Sequence, residues 1–377
     1  MKKTYLGGFT EMKKAKLFGL GTVAMAALLT LGACGGGSGG GSTDSSGGAA
    51  KDDAKHSVAI VTDIGGVDDR SFNQSAWEGL QAWGKEHDIK KGTGGYNYIQ
   101  SNDASEYEQN ISQAVTNGFK TVFGIGYLLA DPISAAADQN PDTNFVIIDS
   151  VIEDKDNVAS ATFKDQEAAY LAGVAAAETT KSNKLGFVGG EEGAVIDRFE
   201  AGFVQGVKDT AKKLDKDISV DVQYAASFGD PSKGKALAAN MYNAGVDIIY
   251  HASGGTGQGV FSEAKARNEK ADEADKVWVI GVDSDQQNDG KYKSKDGKES
   301  NFCLTSTLKG VGAAVQSIST DALNDKFPGG KHLSFGLKDG GVDLTDGYLS
   351  DDAKAAVKEA KEKVSAGDIK VPETPEK

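Results

Sequence analysis

From residue 56 onward, short apolar runs of strand length alternate with longer amphipathic runs of helix length, and the alternation starts twice. That pattern restricts the chain to an α/β, doubly wound arrangement, because such strands need helices over both faces. In the first series the predicted strands are "SVAIVTD" (57 to 63), "YNYIQS" (96 to 101), "TVFGIG" (121 to 126), "NFVIIDS" (144 to 150) and "VASATF" (158 to 163). Helices are predicted near 71 to 87, 105 to 117 and 129 to 139. In the first of them Phe72, Ala76, Leu80 and Trp83 recur at helical spacing, as a core-facing stripe does. An Ala-rich helix near 165 to 181 leads into the second series, with strands at 184 to 190, 219 to 227, 246 to 253 and 276 to 284. Helices are predicted between them near 194 to 213, 231 to 244 and 257 to 269. The late elements, "NFCLTSTLKG", "HLSFGLKDGGVDL" and a charged helix near 350 to 365, need a home in one lobe or the other. The expected division is 56–165 with 302–330 as the first lobe and 166–301 with 331–370 as the second. A chain of 377 residues is long enough for two such cores. Lobes joined by several strands form a multi-strand hinge around a cleft that can close on a ligand.

The N-terminus stands apart from the fold. "MKKAKLFGLGTVAMAALLTLGAC" has a basic start, a short apolar core and small residues before Cys34, which reads as a lipoprotein signal peptide over 1–33 with Cys34 as the lipidated residue. Its apolar core is shorter than the ~20 residues of a membrane-spanning helix. Met12 alone starts a complete signal peptide, so either Met1 or Met12 serves as the start. Residues 34–55, rich in Gly and Ser, have the composition of a flexible tether. Cys303 is then the one other cysteine, so no intramolecular disulfide is available, and its apolar run makes it a buried, inert thiol.

In open α/β sheets ligands bind beyond the carboxyl ends of the strands, so the residues that follow each apolar run carry the argument. These are Asp63, Asp149, Phe228, Gly254 and Gly255, Asp283 and Lys309, with Phe72 and Asn73 at the first helix start. Carboxylates accept from vicinal hydroxyls and a lysine adds donors. Asp149 and Asn73 suit the polar edge of a base, while Phe72 and Phe228 suit its flat faces. Competing roles stay open: a strand-end Asp is equally a helix N-cap, and Phe72 also belongs to the core stripe. Asp68 and Asp69 read as turn and cap residues.

Other chemistries find no support. "GGTGQG" lacks the Gly-x-Gly-x-x-Gly spacing, and there is no phosphate-cradling Gly-x-x-x-x-Gly-Lys loop. His56, His87, His251 and His332 are scattered, with His251 expected to be structural, and no nucleophile elbow occurs. "GGVDDRS" lacks the oxygen ligands of a calcium loop. No metal, cofactor or catalytic residue is expected. The net charge of −14 argues against nucleic-acid binding.

The stretch "VTDIGGVDDRSFNQSAWEGL" resembles the basic membrane protein (BMP)/PnrA-like family, purine-nucleoside-binding lipoproteins of ABC transporters. "FVIIDS", "ASATFKDQEAAYLAGVAAA", "GFVGG", "DRFEAGF", "ASFGDPSKGKALA", "GGTGQGVF", "VWVIGVDSDQ" and "FPGGK" look like family segments in family order. The resemblance implies a type I periplasmic-binding-protein fold, with two Rossmann-like lobes and three crossings. It implies that Phe72 and Phe228 stack on a purine, with Asp63 and Asn73 as polar neighbours and Asp149 reading the base. Gly255 would supply a close backbone approach, and Asp283 and Lys309 would hold the ribose hydroxyls. Arg198 and Phe199 rank second. The implied partners are a purine nucleoside and the permease and ATPase subunits of an ABC transporter, with a lipid anchor holding a monomeric receptor on the extracellular face of the cell membrane. The competing readings are a sugar or other small polar metabolite as ligand, a nucleoside hydrolase, and a surface adhesin.

Overall fold

The computed structural model describes residues 56–376. The expected signal peptide, Cys34 and tether lie outside the described residues. Among those described, no helix is long and apolar enough to cross a membrane.

The first sheet has the order β13-β5-β4-β3-β1-β2 and is parallel throughout. Its strands are β1 (Val58–Thr62), β2 (Tyr96–Ile99), β3 (Thr121–Ile125), β4 (Asn144–Ile148), β5 (Val158–Phe163) and β13 (His332–Phe335). Alternate residues of one strand serve two different cores. Val58 and Ile60 pack on one face with Phe123, Ile125, Val146 and Ile148, while Ala59 and Val61 pack on the other with Val122, Phe145 and Ile147. Burial on both faces explains why these strands read as continuous apolar runs instead of alternating ones. Helices α1 (Phe72–Glu86), α2 (Tyr107–Thr116) and α3 (Ala130–Gln139) connect them.

The second sheet has the order β14-β12-β9-β8-β6-β7. It contains β6 (Lys184–Gly189), β7 (Ser219–Tyr224), β8 (Ile248–Ala252), β9 (Trp278–Gly281) and β12 (Cys303–Lys309), with the short β14 (Val342–Leu344) antiparallel at its edge. Helices α4 (Asp165–Thr179), α5 (Ala194–Lys213), α6 (Pro231–Asn243) and α7 (Gly257–Asn268) cover it. A small hairpin, β10 (Lys291–Lys293) with β11 (Glu299–Asn301), stands outside both sheets.

The chain passes between lobes after Phe163, after Lys309 and between Phe335 and Val342. These crossings are tied to one another: Lys164 N donates to Phe335 O and Gly310 N to Gly341 O, each at 2.8 Å. The expected division of the late elements is corrected here. β12, placed in the first lobe from sequence, pairs with β9 in the second sheet, and β13, placed in the second lobe, pairs with β5 in the first. Only α8 (Val311–Leu323), packed on α1, sits in the first lobe as expected. An apolar run shows that a strand is buried; its hydrogen-bonding partner decides in which sheet. The architecture is that of the type I periplasmic-binding-protein fold.

Candidate functional site

The carboxyl ends of the two sheets face one another, and between them lies a cleft lined by charged and aromatic side chains, the usual place for a ligand in open α/β sheets. The loop from β1 to α1 builds its first wall. Asp63 Oδ1 accepts from Gly65 N (2.9 Å) and Asn73 Nδ2 (2.7 Å). Asp69 accepts from the backbone of Ser71, Asn73 and Gln74 at 2.8 to 3.0 Å, so it caps α1 from below. It also accepts from Asn73 Nδ2 at 3.0 Å. With both amide hydrogens taken by carboxylates, Asn73 must turn Oδ1 elsewhere, and that atom is buried without a partner on the cavity wall. Phe72, the first residue of α1, is only partly buried and faces the cavity, while Ala76, Leu80 and Trp83 fill the core behind it.

The rest of the cavity comes from the end of β4 in the first lobe, from the hinge and from the second lobe. Asp149 and Asp283 both adopt left-handed backbone, at φ 67° and 64°, at the ends of β4 and β9. Such strained positions turn a side chain away from the strand direction and into the cleft. Lys309 Nζ lies 2.6 Å from Asp149 Oδ2 and 3.1 Å from Asp165 Oδ1. The rings of Phe72, Phe163 and Phe199 enclose it at 5.2 to 5.5 Å. Asp283 Oδ2 accepts from Ser71 Oγ at 2.6 Å, across the cleft. Arg198, 3.2 Å from Asp165, supports that acid from behind.

Five buried carboxylates, Asp63, Asp69, Asp149, Asp165 and Asp283, thus share two cations, Lys309 and Arg198. Burial pushes Asp63 and Asp283 up to about 7, against the hydrogen bonds to Asp63 and the Lys309 charge beside Asp283. Burial likewise raises Asp69 and Asp149. For Lys309 burial works against the charge, but Asp149, Asp165 and Asp283 outweigh it and hold the ammonium protonated. Asp149 Oδ1, like Asn73 Oδ1, is buried with no partner. A cavity so lined offers acceptors, and its complement is a neutral molecule rich in N–H and O–H donors.

The structure brings Asp63, Phe72, Asn73, Asp149, Phe228, Asp283 and Lys309 onto one cavity. Gly255 is set one residue behind the wall; Gly254, at φ 52°, lines it instead. Phe199 reaches the cavity, whereas Arg198 acts through Asp165. Sequence reasoning missed Tyr127, Ser71 and Asp165. Tyr127 follows β3 and obeys the strand-end rule, so a signal was present. Ser71 and Asp165 contribute through partners distant in sequence, which no local pattern marks. His251 is buried, with Nε2 3.0 Å from Gln286 Oε1, and burial lowers it to about 4. Cys303 is buried and its thiol is pushed up to about 12.

The lobes meet along the rim of the cavity. Gln286 Nε2 donates to Arg70 O (3.1 Å), Gln258 Nε2 to Asp68 O (3.3 Å), and Arg70 pairs with Asp289.

The sequence model of the family described as "ABC transporter substrate-binding protein PnrA-like" matches residues 56–374. The chain is 54% identical over 359 residues to the "ABC transporter nucleoside-binding protein BmpA" of Lactococcus lactis subsp. cremoris, spanning 95% of this chain and 99% of that protein. It is 48% identical over 365 residues to the "CD4+ T-cell-stimulating antigen" of Listeria monocytogenes, 96% of this chain and 100% of that one. Among solved structures, an ABC transporter solute-binding protein of Aeropyrum pernix K1 superposes with a TM-score of 0.74 at 26% identity, over 85% of this chain and 94% of that chain.

Proposed function

Because the chain belongs to the PnrA-like family of ABC transporter substrate-binding proteins, we propose that it captures purine nucleosides between its lobes and delivers them to a membrane permease driven by an ATPase subunit. The observation that carries this reading is the acceptor-lined cavity with aromatic walls, in which Asn73 Oδ1 and Asp149 Oδ1 are buried and unpartnered. A nucleoside fits that demand: it presents ring and exocyclic N–H donors on a flat, stackable base, and vicinal hydroxyls on its sugar. Phe72 and Phe228 would take the faces of the base, and Asn73, Asp63 and Asp149 its donor edge. Gly255, beside Gly254, would allow the backbone to approach. Asp283 and Lys309 would hold the ribose hydroxyls. The nucleoside-binding relative at 54% identity supports the same ligand class.

No bond need break. A hydrolase would require an activated water, and the tests below distinguish it by the release of free base. The sequence of residues 1–34 favours a lipid anchor at Cys34 on the extracellular face.

Calorimetry of the mature protein with inosine, guanosine, adenosine and ribose tests the ligand class. Saturable binding of at least one purine nucleoside, with ribose inert, is expected. Binding of ribose with no response to any nucleoside would transfer the site to sugars, and release of free base from inosine would make the protein a hydrolase. Cys34→Ser should move the protein from the membrane fraction to the medium; retention in the membrane would remove the anchor.

A further inference from the structure

Tyr127, on the cavity wall, bridges the two lobes. It follows Gly126 at the end of β3 in the first lobe, yet its ring packs against the hydrophobic core of the second. The Tyr127 and Phe228 rings meet edge to face, with centroids 6.3 Å apart at 81°. The hydroxyl is buried and has no hydrogen-bond partner. A side chain at Gly193, in the second-lobe loop above it, would begin 3.6 Å from that oxygen.

A buried, unpartnered hydroxyl is costly unless something arrives to satisfy it. Three cavity-lining side chains carry such an orphan atom: Asn73 Oδ1, Asp149 Oδ1 and Tyr127 OH. The first two are acceptors. Tyr127 alone brings a neutral donor, and burial, reinforced by the charges of Glu191 and Asp63, pushes it up to about 12, so it keeps its proton. It sits beside Phe228 and next to Gly126, where a β-carbon would lie 3.5 Å from the Phe72 ring, so it stands with the two aromatic rings of the cavity.

We infer that the Tyr127 hydroxyl donates to a carbonyl oxygen on the edge of the bound base, and so makes the site prefer 6-oxo purine nucleosides over ring systems that lack that oxygen. This rests on the nucleoside reading above. One of the acceptors Asn73 and Asp149 takes the single ring N–H of such a base, the other is available to an exocyclic amino group where the base carries one, and Tyr127 takes the complementary oxygen. A base without the oxygen leaves the hydroxyl unpaired, and that penalty is the source of discrimination.

The test compares the wild-type protein with Tyr127→Phe, which deletes one oxygen and keeps the ring. Calorimetry is run with inosine and with purine riboside, which lacks the 6-oxo group, alongside thermal melts of the unliganded proteins. Tyr127→Phe should weaken inosine by about five- to thirtyfold and change purine riboside by less than about twofold. The unliganded variant should melt at the same temperature or higher, since an unsatisfied hydroxyl has been removed. Equal losses for both ligands, no loss for inosine, or a lower unliganded melting temperature would each overturn the inference. If the wild-type protein binds neither these two nor guanosine nor adenosine, the nucleoside reading itself falls, whereas binding of adenosine alone would overturn the 6-oxo inference and leave that reading standing. Both results are distinct from a wild-type protein that binds inosine and a variant that binds it equally well.

Discussion

Asp283 ties the stability of the unliganded protein to pH. Its carboxyl, at about 7 in the folded protein against an ordinary value of 3.8, holds a proton over a range in which the unfolded chain does not. Between those two values the folded state therefore binds more protons. Stability of the unliganded protein should fall as pH rises through that window, by at most about 1.4 kcal/mol per pH unit for this group. Asp63 contributes in the same direction. Asp283→Asn removes one of these slopes, so unfolding free energies measured at about pH 5 and about pH 7.5 should differ less in the variant than in the wild type. Identical slopes would show that Asp283 does not titrate there. In the same variant nucleoside affinity should drop by roughly 1.5 to 3 kcal/mol at neutral pH, the worth of hydrogen bonds to a charged group.

At the scale of elements, the packing of α4 on α5 depends on glycine for contact rather than for turning. A β-carbon at Gly206 would lie 2.2 Å from Tyr170 O, at Gly202 2.3 Å from Gln166 O, and at Gly173 2.3 Å from Phe203 O. The two backbones touch along this seam. Gly206→Val must push the helices apart, and overpacking of this kind costs about 1 to 3 kcal/mol. The urea midpoint should fall accordingly; an unchanged midpoint would mean that the seam yields freely. Because α4 begins with Asp165, which pairs with Lys309, the same substitution should weaken ligand binding without touching the cavity.

Most elements were legible from sequence because burial on both faces gave β1, β3 and β4 unbroken apolar runs. The β10–β11 hairpin was not: "KYKSKDGKES" holds one buried side chain per strand at most and has no apolar signature. Asp63, Asp149, Asp283 and Lys309 were found because the cleft forms where strands end. Tyr127 obeys the same rule and was overlooked beside the more conspicuous carboxylates. Ser71 and Gln286 act by reaching across the cleft, a relation that local pattern does not encode.

For the whole molecule, capture depends on how firmly the lobes hold each other. The Arg70–Asp289 pair lies outside the cavity, with Arg70 more than half exposed. Such a pair is worth at most about 1 kcal/mol and is weakened by salt. Asp289→Asn should therefore speed nucleoside release in stopped-flow measurements by up to about fivefold at low salt. The difference from wild type should vanish at high salt. A rate difference that ignores salt would show that this ion pair does not hold the lobes together.

The three bonded crossings also impose an order on how the polypeptide is made. β5 has no outer neighbour until β13 at His332–Phe335 arrives, and β12 waits for β14 at Val342–Leu344. Both sheets thus receive their last strand from one stretch, 332 to 344. The first half of the folded body therefore does not contain all the strands of its own sheet. Until that stretch is in place β5 and β12 lack their outer partners, and a chain cut short of it would leave both sheets one strand short at once.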